Sequence, residues 1–263
     1  MYIVKIGGGD SINLAGIVAD LAEIDERFVI VHGANALRDS LAERLGAPRE
    51  TLTSVSGYTS VYSDDQAIDV ILMSYAGLRN KRLVELCQSH GINAVGLSGI
   101  DGRLIEGERN RGIRVRAGGK TLIRRDLSGK PKRVNADLLW LLLNNGYTPV
   151  LSIPILDEQH TAINSENDDI INLLQASLHA KRIFQFIGAP GFLEDPADPT
   201  SLVKQLSQTE LNEREEQVEG RMKRKILALR NLFQAGAAEV SISDGRTEHP
   251  VRDALAGKGT LIR

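Results

Sequence analysis

Cysteine and aromatic residues are scarce. The 263 residues include one cysteine, Cys87, and one tryptophan, Trp140, and aromatics make up 4%. A single cysteine excludes an intramolecular disulfide and a cysteine-based zinc site. Its setting, Leu83-Val84-Glu85-Leu86-Cys87, reads as the buried side of a helix, which favours a core role over a nucleophile. No metal-ligand set is assigned. No apolar stretch reaches the ~20 residues of a membrane span, and no N-terminal apolar run carries a basic flank. The expectation is a cytoplasmic protein without membrane contact. Residues 103–133 hold eleven Lys/Arg, three Asp/Glu and no aromatic residue. That +8 stretch suggests an anionic partner. Nucleic acid is disfavoured, because no ring is present to stack on bases. A charged edge that discourages strand pairing is the plainer alternative.

What is present is ordinary for a globular chain: 42% hydrophobic and 25% charged residues, with net charge −2. Organisation starts at Met1–Gly9, MYIVKIGGG. Tyr2, Ile3, Val4 and Ile6 form the short apolar, β-branched run of a strand buried on both faces. Lys5 interrupts it and Gly7, Gly8 and Gly9 close it. Glycines at a strand end let backbone N–H groups approach an anion, and a lysine adds a mobile charge. The pattern fits a phosphate site at the carboxyl end of a parallel strand. An ordinary turn with a snorkelling lysine is the alternative.

Alternation continues down the chain. A helix over 11–26 precedes the strand Phe28–Val31, which ends at His32-Gly33-Ala34-Asn35; a helix follows over 36–45, closed by Gly46. After the polar stretch 51–63 a long helix runs from about Asp64 to His90, then a strand at Asn93–Leu97. Residues 103–134 read as a hairpin insertion with Gly118-Gly119 as its turn. Asn135–Asn145 is an apolar helix and Thr148–Ser152 a strand. A helix opens at Asn164–Asp169, the strand Arg182–Ile187 ends at Gly188, and a polar helix spans 208–218. Another helix begins at Gly220–Lys225, a strand covers Glu239–Ile242, and one last edge strand closes the chain at 257–262. The fold class is α/β: a three-layer α/β/α sandwich on a mostly parallel sheet with a protruding β-hairpin.

Two lysines, Lys5 and Lys225, backbone amides and one acid at Asp168 meet the needs of phosphoryl transfer, in which charge must be neutralised and little covalent chemistry is required. Asp168 as a helix N-cap and Lys223–Lys225 as a solvated patch are the structural alternatives.

Met1–Gly9, Val31–Gly33, Asn164–Asp168, Gly220–Lys225 and Gly257–Ile262 resemble the amino acid kinase family, in its acetylglutamate kinase-like branch. Asn80–Glu85, Gly96–Leu104 and Gly220–Lys225 are similar above all to kinases that phosphorylate aminoadipate or glutamate borne on an amino-group carrier protein. The resemblance implies one kinase domain over 1–263. Residues 1–155 would serve acceptor binding and homodimerisation, and 156–263 ATP binding. It implies ATP with Mg²⁺ and an acyl phosphate product in lysine or arginine biosynthesis. By the same resemblance, Lys5, Asp168 and Lys225 are catalytic, and Gly7, Gly8, Gly33, Gly188 and Gly191 hold phosphates and ATP. Gly57, Tyr58, Val61 and Asn164 line the acceptor. Arg109, Arg111, Arg114, Arg116, Arg124 and Arg125 would dock a small acidic carrier protein.

Two positions depart from the family pattern. Val61 stands where relatives carry the arginine that grips the acceptor's α-carboxylate, and Ala34 replaces a glycine. Valine cannot supply a bidentate guanidinium. The expectation is a weak response to acetylglutamate, with a different acceptor, Tyr58 or Tyr62, or Arg79 from the following helix as alternative explanations. A nucleotide-binding regulator that has lost catalysis is disfavoured, since Lys5, Asp168 and Lys225 all persist.

Overall fold

The computed structural model describes the chain apart from residues 49, 56–58, 118, 119, 196, 218 and 219, with backbone alone at 59, 60, 117, 215–217 and 220–225. Eight strands form the central sheet, in the order Gln205–Leu206, Thr260–Ile262, Val240–Asp244, Arg182–Ile187, Tyr2–Ile6, Phe28–His32, Thr148–Ser152 and Ala94–Ser98. All neighbours run parallel except Val240–Asp244 with Thr260–Ile262. Tyr2–Ile6 sits at the divide. One neighbour, Phe28–His32, comes from the first half of the chain, and the other, Arg182–Ile187, from the second. Ligands of such sheets bind at this switch in strand order, beyond the carboxyl ends of the strands.

The alternation of the first strand decides where Lys5 points. Ile3 belongs to the apolar layer shared with the helices Asn167–Leu178 and Gly220–Gln234. Val4 and Ile6 belong to the opposite layer, with Leu14–Leu21, Asn80–Ser89 and Pro250–Leu255. Successive side chains in a strand face opposite ways, so Lys5 shares the face of Ile3 and meets the helix that carries Asp168. Cys87 is fully buried in the second layer, and burial pushes its thiol up to about 12, as a core residue should behave.

The structure corrects several sequence expectations. Thr260–Ile262 is not an edge strand: Gln205–Leu206, too short to register as a pattern, pairs outside it. The polar stretch 51–63 holds a small hairpin, Thr51–Thr53 with Thr59–Val61. The long helix is three pieces end to end, Asp65–Ile71, a π-helical Leu72–Arg79 and Asn80–Ser89. At the junction the buried Ser74 donates to the Val70 carbonyl at 2.6 Å, a back-bond that bends helices. Helix 11–26 is shorter, Leu14–Leu21, and its buried Asp20 accepts from the backbone of Val251 (2.9 Å) and Arg252 (3.1 Å), holding the start of the helix Pro250–Leu255.

The basic insertion has two tiers. Ile105–Arg109 pairs antiparallel with Gly129–Val134, and beyond them Ile113–Ala117 pairs with Lys120–Arg124. The Gly118-Gly119 turn lies outside the described residues. The outer tier leans on the 50–63 segment. Val55 N–H donates to the Arg114 carbonyl at 2.8 Å, Arg124 bonds Glu50 at 3.3 Å, and its guanidinium lies 4.7 Å from the centre of the Tyr62 ring.

Candidate active site

Two glycine turns meet at the carboxyl ends of the first two strands. A Cβ on Gly8 would lie 2.5 Å from Asn35 N and 2.7 Å from Ala34 N; one on Gly33 would lie 2.8 Å from Gly8 N. Only glycine permits this approach. The amide of Gly33 donates to the Ile6 carbonyl at 2.8 Å and that of Gly7 to the Phe186 carbonyl at 2.9 Å, so both extend the sheet ladder. Their contribution is room and backbone shape. The Gly8 amide has no partner among the described residues.

Lys5 Nζ donates to Asp168 Oδ1 in the shared space. Asp168 is the second residue of the helix Asn167–Leu178, whose N-cap position is Glu166, so Asp168 is not the cap. A carboxylate in the first turn is favoured by the helix dipole, and this one is turned to orient an ammonium group. Asn167 Nδ2 donates to the His32 carbonyl at 3.1 Å and fixes the helix start against the second strand.

These groups stand in a cleft of about 1100 Å³. Lys5, Gly7, Gly8 and Gly33 lie on its floor with Asp168 and Asp169. Ile187, Leu227, Ala228 and Asn231 line the side built by the second half of the chain. Asn35, Arg38, Val61, Tyr75, Arg114 and Asn164 also line the cleft. Asn164 Nδ2 donates to Ser63 Oγ at 3.0 Å, and its Oδ1 has no hydrogen-bond partner among the described residues. Among the described residues no group of three His, Cys or acidic residues is placed to hold a metal ion.

Not every sequence-nominated residue reaches this cleft. Gly188 and Gly191 are not among its walls; Gly191 packs on Leu202 and Thr260, where a Cβ would lie 2.7 Å from each. Gly57, Tyr58 and the side chain of Lys225 lie outside the described residues. The backbone of Lys225 belongs to the helix Gly220–Gln234, one turn before Ala228. Of the arm's arginines, Arg114 lines the cleft, Arg109 Nε is tied to the Asp126 carbonyl at 2.9 Å, and Arg111, Arg116 and Arg125 are exposed. Tyr62 is committed to the arm, donating to the Arg125 carbonyl at 3.3 Å. Arg79 is not a wall residue. Val61 lines the cleft, and Arg38 and Arg114 are among its other wall residues. Arg38 carried no sequence signal beyond its place in the helix after the second glycine turn.

A model of the amino acid kinase family matches residues 1–244. The chain belongs to the amino acid kinase family. The LysW-aminoadipate kinase of Thermus thermophilus is 38% identical over 269 residues, covering 100% of both chains. The acetylglutamate kinase of Methanopyrus kandleri is 32% identical over 267 residues, again covering 100% of both. The fold is shared with smu.665 from Streptococcus mutans, at a TM-score of 0.75 and 17% identity, over 99% of this chain and 97% of that one. As an amino acid kinase the chain is an ATP-dependent phosphotransferase, and its full-length kinase relatives point to a carboxyl group as the acceptor.

Proposed function

We propose that this amino acid kinase phosphorylates the side-chain carboxylate of 2-aminoadipate or glutamate attached to a small acidic amino-group carrier protein. The observation that carries the chemistry is the Lys5–Asp168 pair, set where the two halves of the sheet meet and beside the abutting Gly8 and Gly33. The acceptor rests on the 1–155 side and ATP on the 156–263 side. A carboxylate oxygen of the acceptor attacks the γ-phosphorus in line, the bond from that phosphorus to the β–γ bridging oxygen breaks, and ADP leaves with the electron pair. The products are an acyl phosphate and ADP. The nucleophile is already an anion, so no general base is needed. The demand is for charge: Lys5, held by Asp168, neutralises the transferring phosphoryl, and the Gly8 amide faces it. Lys225 serves the leaving group. Mg²⁺ would travel on the phosphates of the nucleotide, a mode that needs only one or two protein carboxylates, and Glu166, Asp168 and Asp169 are the acids lining the cleft.

Charge and apolar surface on the arm support the carrier. Arg111 and Arg116 are exposed there, and Ile123, 63% exposed, pairs across the hairpin with Arg114. An aliphatic anchor flanked by arginine suits an acidic protein. Met73 and Leu78 lie exposed on the π-helical segment, and a second copy of the chain covering them would give a homodimer.

The test is ADP release with free and carrier-linked aminoadipate and glutamate, with the acyl phosphate trapped by hydroxylamine. Hydroxamate formation from the carrier-linked acceptor is expected. ADP release without trappable product, or no release with any carboxylic acceptor, would refute the assignment.

A further inference from the structure

We propose that Arg38 grips the α-carboxylate of the acceptor, in the role that Val61 cannot fill; this rests on the carboxylate-kinase reading above. Asn35 and Arg38 are three residues apart on the helix Asn35–Arg44, so they share one face, and both line the cleft. That helix follows the glycine turn of the second strand, on the acceptor side of Lys5. The Arg38 side chain is 12% exposed. Its Nε and Nη2 both donate to Asp39 Oδ1, at 2.9 and 2.7 Å. This clamp fixes the plane of the guanidinium, and Nη1 has no hydrogen-bond partner among the described residues.

Burial raises the Tyr75 pKa; the Arg38 charge works against that rise, and the Glu166 and Asp39 charges work with it. Tyr75 is itself a buried wall of the cleft, and its hydroxyl donates to Asn35 Oδ1. Arg38 thus shares its helix face with Asn35, the partner of this buried wall residue. Arg114 is the other guanidinium on this side, but it is exposed and rides on the outer tier of the arm. A partly buried, pre-oriented arginine loses less freedom on binding a carboxylate and makes the stronger, charge-assisted pair.

The experiment measures calorimetric binding of N-acetyl-2-aminoadipate and of its α-carboxamide to the full chain. Wild type should prefer the acid by roughly ten- to a hundredfold, the range of a charge-assisted hydrogen bond. Arg38→Met should abolish the preference, and Arg38→Lys should keep part of it, with both variants first shown by thermal melting to be folded. Loss of affinity for acid and amide alike would be structural damage and would overturn the assignment, as would an undiminished preference in Arg38→Met. Failure of the kinase reading shows separately, as an absence of ADP release from wild type, because binding is read without turnover.

Discussion

Asn80 reaches across the buried side of the sheet to His32, its Nδ2 lying 3.1 Å from His32 Nε2 and donating also to the Val150 carbonyl at 3.0 Å. The Val150 bond fixes the amide orientation, so His32 Nε2 is an acceptor and the ring proton sits on Nδ1, 3.3 Å from the Gly33 carbonyl. Burial lowers the His32 pKa to about 4. The neutral ring thus braces the turn that abuts Gly8. Gly96 is what makes room: a Cβ there would lie 1.9 Å from Asn80 Oδ1.

A pH dependence of stability follows. The unfolded imidazole binds a proton near 6.5 and the folded one only near about 4. Between those values the unfolded state holds more protons, so this contribution is complete above 6.5 and is lost as pH falls towards 4. Its full size is about 3 kcal/mol. Urea denaturation of wild type and His32→Gln from pH 7 to 4.5 should show the wild-type advantage shrinking with acidity. Parallel curves would contradict it.

The glycine contact gives a paired comparison. Gly8→Ala must push apart the two turns, because backbone nitrogens lie 2.5 and 2.7 Å from the new methyl group, whereas nothing lies within 4 Å of a Cβ on Gly9. Gly8→Ala should lower kcat by a hundredfold or more, on the order of losing one oxyanion donor. Gly9→Ala should fall within a few-fold of wild type in the same ADP-release assay.

Lys5 and Asp168 should behave as one unit. Lys5→Met and Asp168→Asn should each reduce kcat by about 10²–10³ with small change in KM, since the pair matters most as charge moves. The double variant should be little worse than either single one. Additive losses in steady-state kinetics would show that Asp168 does not act through Lys5.

Lys225→Ala should lose kcat on a similar scale, because its proposed contact strengthens as the leaving group gains charge. A folded variant with full kcat would remove Lys225 from the mechanism.

Charge reversal on the arm separates docking from chemistry. Arg111→Glu with Arg116→Glu should raise KM for a carrier-linked acceptor and leave KM for ATP nearly unchanged; both residues are exposed and outside the cleft walls. Added salt should weaken the wild type more than the variant. Equal damage to both substrates would refute docking.

Much of this was legible in the sequence because it depends on local pattern. Tyr2–Ile6 followed by glycines specifies a buried parallel strand and a close-approach turn, and the repeat at Phe28–Gly33 specifies its neighbour, since apolar runs and glycine act through nearest-neighbour sterics. The resemblance of those motifs to known kinases also pointed to the family. What pairs across the chain was decided only in three dimensions. Asp168 could have been a cap until strand alternation turned Lys5 towards its helix. The packing of Gly191 against Leu202 and Thr260 likewise appears only in three dimensions. Arg38, an unremarked charge on a helix, gains its place because that helix starts at the second glycine turn and Tyr75 closes in from a segment 37 residues away. Side-chain function of this kind depends on which faces meet, and faces meet only when two buried layers close around one sheet.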